Sequence, residues 1–204
     1  FKNNEGRDFS STYHNLRQII AQSTPDDYVL CVNRSAIGPL TDGWYRAFVA
    51  QYQAFSNIGL CGNTINFSGH EDCPSQGSTT HVQTYAYLSQ LKHFMSLMPC
   101  FPGLNVTSRL SAIADGELRL SRQLLANDLG LTCLAWPQHR FDQQQLRDSQ
   151  LPTGNISRLV TGLPYRTSGS GFWKYYRYLY LRWWSRRQLY QRSRGLIKKW
   201  VNRK

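Results

Sequence analysis

Residues 28–33, YVLCVN, form a short apolar run that stops on a polar side chain. β-Branched and aromatic content favours a strand there, and an unbroken apolar stretch predicts one covered on both faces of a sheet. A strand of such a sheet that ends on polar groups opens its C-terminal end into a site. The flanking segments have a different period. Residues 9–22 carry Tyr13, Leu16, Ile19 and Ile20 at helical spacing, with Ser10 or Ser11 as N-cap and Pro25 beyond the end. After SAIGPLTDG, where Gly38, Pro39 and Gly43 make a turn-rich loop, residues 44–55 resume the i, i+4 pattern of a second amphipathic helix.

The alternation continues along the chain. Residues 57–67 read as a strand pair or one long bent strand, with Gly59 and Gly62 as irregularities, and residues 70–80 as a mobile polar loop. A strand over 82–88, a helix over 89–97, a strongly helical stretch over 115–128 closed by Gly130, and a last strand over 131–136 complete the expectation. Strands alternating with helices predict an α/β sheet flanked by helices, with functional groups in the loops at strand ends. With 204 residues of which 41% are apolar, one sizeable core is expected rather than two.

Charge divides the chain sharply. Of the net +12, the 11 Lys and Arg of residues 172–204, unaccompanied by any Asp or Glu, supply all but +1. The body is therefore nearly neutral and is not built as a general polyanion binder. Within the tail, Trp173, Tyr176, Tyr180, Trp183, Trp184 and Leu189 recur at steps of mostly three or four, as an amphipathic helix requires. Basic residues beside a Tyr/Trp face predict an interfacial helix on an anionic membrane surface, each cation adding roughly 1 kcal/mol. An RNA-binding arm and a helix packed on protein are the competing readings, with nucleic acid the less favoured partner. Residues 161–171, TGLPYRTSGSG, read as a linker, so the expected organisation is a body over 1–160, a linker over 161–171 and a helix over 172–204.

Five cysteines in no ligand spacing read as buried free thiols of a reducing compartment, and no run of about 18 apolar residues predicts a spanning helix. The expected location is cytoplasmic, peripheral at the inner face of the cell membrane. Three N-x-S/T triplets, at Asn66, Asn105 and Asn155, carry little weight.

Four polar clusters stand at predicted strand and helix ends: GRDF with Arg7 and Asp8, NRSAIGP with Asn33, Arg34 and Ser35, THVQT with His81 and Gln83, and ADGE with Asp115 and Glu117. No GxGxxG, P-loop, HExxH or GxSxG is present, which leaves hydrolase and nicotinamide-dependent readings without support. With the clusters in this order, residues 3–136 resemble bacterial polysaccharide-biosynthesis glycosyltransferases of the rhamnan-synthesis type. The likeness is carried by NEGRDFSSTYHNL, DDYVLCVNRSAIGP, NTINF, HVQTYAYLS and GELRLSRQLLANDLGLTCLAW. It implies a GT-A-like (Rossmann-like) nucleotide-sugar fold whose first strand and helix would lie upstream of residue 1.

The resemblance implies roles residue by residue. Asp8 looks like a donor-site residue; a helix N-terminal carboxylate placed by the dipole would look the same. Asn33, Arg34 and Ser35 fall where such transferases hold a metal-bound diphosphate, but the triplet lacks the carboxylate that Mg²⁺ or Mn²⁺ prefers. Metal use is thereby put in doubt; Arg34 can neutralise diphosphate itself, or the triplet merely forms a turn. His81 and Gln83, two apart on one predicted strand, would both face a sugar or acceptor. Glu117 is the expected catalytic base, with Asp115 in reserve, since attack by an acceptor hydroxyl needs a carboxylate to remove its proton; both are alternatively dipole partners at a helix start. The implied activity is transfer of a sugar from a nucleotide-diphosphate donor to a lipid-linked or cell-surface glycan. A non-catalytic glycan-binding or assembly subunit of the same fold is the alternative.

Overall fold

The computed structural model describes residues 7–67, 79–144 and 162–167. The chain divides into two compact units, Phe1–Arg166 and Thr167–Lys204. The basic aromatic segment 172–204, most of the 70–80 loop and residues 145–161 lie outside the described residues.

The body is mixed α/β. Helix α1 (Arg7–Ile20) leads to strand β1 (Tyr28–Val32), the short β2 (Ala36–Ile37) and helix α2 (Trp44–Gln53). Then follow β3 (Ile58–Gly62), β4 (Ile65–Asn66), β5 (His81–Val82), β6 (Ala86–Gln90) and helix α3 (Leu91–Leu97). A longer helical stretch comes next: α4 (Arg109–Ser111) runs directly into a π-helical segment, Ala112–Leu118, and on into α5 (Arg119–Ala126). Strands β7 (Gly130–Cys133) and β8 (Arg140–Phe141) end the sheet.

Five strands form one sheet in the order β1-β6-β3-β7-β8. β6 is antiparallel to both neighbours, β3 and β7 are parallel, and β8 turns back against β7. Alternate side chains serve two cores, as the pleat demands. Leu60, Tyr87 and Leu131 meet α1, α3 and α5 through Leu16, Phe94, Leu120 and Leu124. Ala86, Leu88 and Cys61 meet Phe48 and Tyr52 of α2 on the other side. Coverage on both faces explains why β3 and β7 are buried along their whole length, and why their sequences are apolar runs without alternation.

Several boundaries depart from expectation for physical reasons. Ser10 and Ser11 do not cap α1, which already begins at Arg7; Ser10 is buried and the Ser11 hydroxyl donates back to the Arg7 carbonyl at 3.5 Å. The strand expected over 82–88 is two strands in two sheets, β5 pairing with β4 and β6 joining the main sheet. Ser89 and Gln90 finish that strand instead of starting α3. The break is matched across the sheet, because β3 bends at the same level. A Cβ on Gly62 would come within 2.5 Å of Val82 Cγ1 and 2.8 Å of the Thr64 carbonyl, so the two bent chains cross in contact only because position 62 has no side chain.

The helix expected from residue 115 starts at Arg109, where Ser108 makes a reciprocal capping box with Ser111. Gly130 does not close it: Gly130 opens β7, and Asp128 adopts the left-handed turn at φ 58°. Of the expected linker, residues 162–166 are packed into the body, since Leu163 joins one core and Tyr165 the other. Asn63 secures this return, donating to the Tyr165 carbonyl at 2.8 Å and accepting from the Tyr165 amide at 3.2 Å. Of the cysteines, Cys61 and Cys133 are buried and Cys31 half-buried as expected, but Cys100 is exposed; Cys73 lies outside the described residues.

Candidate functional site

β1 and β3 run one way and β6 the other, so the residues after β1 and β3 meet the residues before β6 at a single edge of the sheet. The backbone bonds across this edge are Asn33 N–H to the Tyr85 carbonyl (3.1 Å) and Asn63 N–H to the Ala86 carbonyl (2.9 Å). Two further segments arrive there. α1 brings Asp8, and the helical stretch after Ser108 brings Glu117.

Phe9 locks these last two together. A Cβ on Gly116 would sit 2.3 Å from a Phe9 ring carbon, and one on Gly103 2.7 Å from another. The ring is therefore seated against two residues that lack side chains, in direct contact with the π-helical segment. That segment widens the helix by one residue per turn, a feature often found where a helix carries function. It brings Gly116 and Leu118 into the core and leaves Glu117 between them only partly covered.

A cavity of about 130 Å³ opens beside this junction, lined by Asp8, Thr12, Asn33, Arg34, Thr84 and Tyr87 among others. A larger, shallow depression of about 650 Å³ runs along β1 past Asp26 and Tyr45. Volume alone would choose the depression, and both are lined by charged and hydroxyl groups; the cavity is chosen because it lies where β1 ends and because Thr84, which holds Glu117, lines it.

Beside the cavity, Glu117 is a carboxyl moved into the neutral range. Burial pushes its carboxyl up from 4.5 to about 7, against hydrogen bonds donated by the Thr84 hydroxyl and amide and the charge of Arg109; Asp8 adds to the rise. Glu117 Oε2 lies 3.7 Å from His81 Nε2, and the two side chains are 26% and 4% exposed. The other ring nitrogen, Nδ1, is 2.7 Å from the Thr79 carbonyl oxygen. Burial lowers the His81 pKa below 6.5, with the Thr79 carbonyl opposing and Arg122 assisting. Tyr87, buried behind the cavity, shares its hydroxyl with Thr12 and Cys31.

Asp8, Asn33 and Arg34 thus line one cavity, and Glu117, bonded to the cavity-lining Thr84, stands against His81. Asp8 is both first-turn carboxylate and cavity wall, so its two readings coincide. Glu117 is not a helix-start residue, because the helical stretch begins eight residues earlier and the dipole fades within the first turn. Asp115 is exposed.

Ser35 and Gln83 are spent on local structure. The Ser35 amide and hydroxyl both donate to Asn33 Oδ1, at 2.9 and 2.5 Å. Gln83 Oε1 accepts from the Thr64 hydroxyl at 2.7 Å. With the strand broken after Val82, Gln83 does not share a face with His81: one turns to Thr64, the other to Glu117. Asn33 Oδ1 carries two hydrogen bonds on its two lone pairs and stands beside the Arg34 cation, so this triplet does not fit a divalent ion. Among the described residues no cluster of three or more His, Cys, Asp or Glu is placed to hold a metal.

Thr79 and Thr84 were not singled out in the sequence. Thr84 stands inside HVQT, and a hydroxyl in the turn before a strand is its only signal; Thr79 acts through its carbonyl and has none. No family model matches the chain, and neither a curated protein nor a solved structure matches it.

Proposed function

We propose that this chain transfers a sugar from a nucleotide-diphosphate donor to a hydroxyl of a glycan, with Glu117 as the base. The observation that carries this reading is a single carboxyl raised to about 7 and held by Thr84, a residue that lines a cavity also presenting Asp8 and Arg34. A base poised near neutral pH takes a proton from an alcohol more effectively than an ordinary carboxylate does. In the step, the acceptor O–H bond breaks towards Glu117, the oxygen bonds the anomeric carbon, and the bond from that carbon to the phosphate oxygen breaks. Nucleoside diphosphate leaves with the electron pair, and the Arg34 guanidinium offsets its charge.

The five-stranded mixed sheet with helices on both faces is compatible with the GT-A-like arrangement, and the resemblance of residues 3–136 adds to it. A lipid-linked or cell-surface glycan at the inner membrane face is the acceptor class that suits the basic aromatic segment 172–204, because an interfacial anchor raises the local concentration of a bilayer-bound acceptor. No helix among the described residues is long and apolar enough to cross a membrane. The occupied Asn33 carbonyl favours a second reading, a glycan-binding subunit without turnover.

The test is binding and hydrolysis of a panel of nucleotide-diphosphate sugars by the full chain, with and without Mn²⁺, for wild type, Glu117→Gln and Arg34→Ala. Selective binding, turnover lost in Glu117→Gln, and donor affinity weakened roughly ten-fold or more in Arg34→Ala support the transferase. Turnover retained in Glu117→Gln removes Glu117 from the chemistry. Glycan binding by a folded chain that binds no donor selects the second reading.

A further inference from the structure

We infer that His81 is a positioning residue for Glu117: its ring, fixed by the Thr79 carbonyl, presents an unprotonated nitrogen to the carboxyl, so that the two side chains hold one proton between them. For its catalytic consequence this rests on the transferase reading; the pair itself rests on geometry. A carbonyl oxygen only accepts, so the 2.7 Å contact with Thr79 places the ring hydrogen on Nδ1. In the neutral ring Nε2 then has a lone pair, and that lone pair faces Glu117 Oε2 at 3.7 Å. At this separation, longer than a direct hydrogen bond, the lone pair repels an ionised carboxylate and so favours the protonated carboxyl. At 4% exposure, the His81 side chain has little water to satisfy Nε2 instead.

The groups around the pair come from every neighbouring element. Burial dominates at both members. Asp8 of α1 further favours a protonated Glu117, while Thr84 before β6 and Arg109 of α4 favour the carboxylate. Arg122 of α5 favours the neutral His81, and Tyr87 of β6, its own pKa driven well up by burial, stays uncharged. With the pair deprotonated, Glu117 accepts the proton of the attacking hydroxyl; the carboxyl, facing the uncharged ring, then keeps that proton until solvent removes it. Transfer accordingly requires loss of one proton from a two-residue unit whose apparent midpoint belongs to both members.

The experiment is a pH titration of the full chain by NMR, following the ¹⁵N shifts of histidine rings and the ¹³C shift of the Glu117 carboxyl, in wild type and His81→Gln. The expected result is an Nδ1–H ring with a bare Nε2 at pH 8, and a common midpoint for His81 and Glu117. In His81→Gln an amide N–H can donate to the carboxylate, so the Glu117 midpoint falls by about one pH unit or more, and the rate–pH profile moves with it. An Nε2–H ring at pH 8, which wild type alone reveals, overturns the inference, as does a Glu117 midpoint unmoved in a folded variant. Coupled titration with no turnover of any donor sugar would sink the transferase reading and leave the pair standing. Glu117-dependent turnover with independent midpoints would do the reverse.

Discussion

Glu117→Gln should make the protein more stable at alkaline pH while removing its turnover, and the size of the gain follows from the carboxyl's environment. A carboxyl raised to about 7 in the fold and near 4.5 in the unfolded chain makes the fold the better proton binder between those values. Stability from this group is therefore complete below 4.5, declines as pH rises, and has been lost above about 7. This is the reverse of the usual salt-bridged carboxylate. At about 1.4 kcal/mol per pH unit, the decline amounts to roughly 3 kcal/mol. Gln mimics the protonated form, since it is uncharged and its oxygen can accept from Thr84. His81, lowered below 6.5, contributes with the opposite sign: its stability is present above 6.5 and lost as pH falls through its folded value. Because the two groups titrate as a pair, the comparison reports the pair and not Glu117 alone. The assay is urea unfolding of wild type and variant at pH 4 and pH 8, read by tryptophan fluorescence. The variant's advantage at pH 8, less its advantage or deficit at pH 4, should be positive and on the order of 3 kcal/mol. A difference near zero means that Glu117 ionises normally in the fold, which removes the observation carrying the proposed function.

The remaining expectations test the scaffold and the membrane contact. Gly116→Ala forces a methyl against the Phe9 ring, which also packs on Gly103, and should cost about 1–3 kcal/mol by thermal unfolding; combined with Phe9→Leu the loss should shrink. Asn63→Ala strips two partners from the buried Tyr165 backbone and one from the Tyr85 hydroxyl, so destabilisation of about 2–4 kcal/mol is expected, with faster hydrogen exchange at the Tyr165 amide. Unchanged exchange there would show that residues 162–166 are held by side-chain packing alone. Binding of the full chain to anionic vesicles should weaken with salt and fall roughly five-fold for each Lys or Arg of residues 172–204 replaced by Gln; preference for RNA over vesicles would oppose the membrane reading.

How much of this was legible depended on how local each cause is. β1, α2, β3 and β7 announce themselves, because burial on both sheet faces writes apolar runs and burial of one helix face writes a helical period. Two elements escaped for non-local reasons. The 82–88 run looks continuous, but the bend at Gln83–Tyr85 answers a bend in β3 twenty residues earlier, and only the pairing of Asn63 with Ala86 and Gln83 with Thr64 reveals it. The helix beginning at Arg109 was read as starting at residue 115 because a π-helical turn spaces Gly116, Leu118 and Leu120 at intervals that no α-helical period matches.

The site was legible as a set of polar clusters and illegible as a geometry, and the direction of one strand separates the two. His81 and Thr84 precede β6 in the chain, whereas Asn33 follows β1. Were β6 parallel to β1, the residues before it would lie at the far edge of the sheet, a five-residue strand or about 17 Å away. Being antiparallel, β6 returns them to the edge where β1 ends, and there the Asn33 amide binds the Tyr85 carbonyl. Strand direction is set by long-range pairing and leaves no mark in the HVQT tetrapeptide. Residues that each looked ambiguous alone, Asn33 and His81 among them, come to one edge of the sheet only through it. For the same reason, a substitution that disturbs the β3–β6 register, such as one at Gly62 where Val82 leaves no room for a Cβ, should disconnect His81 from Glu117 without touching either.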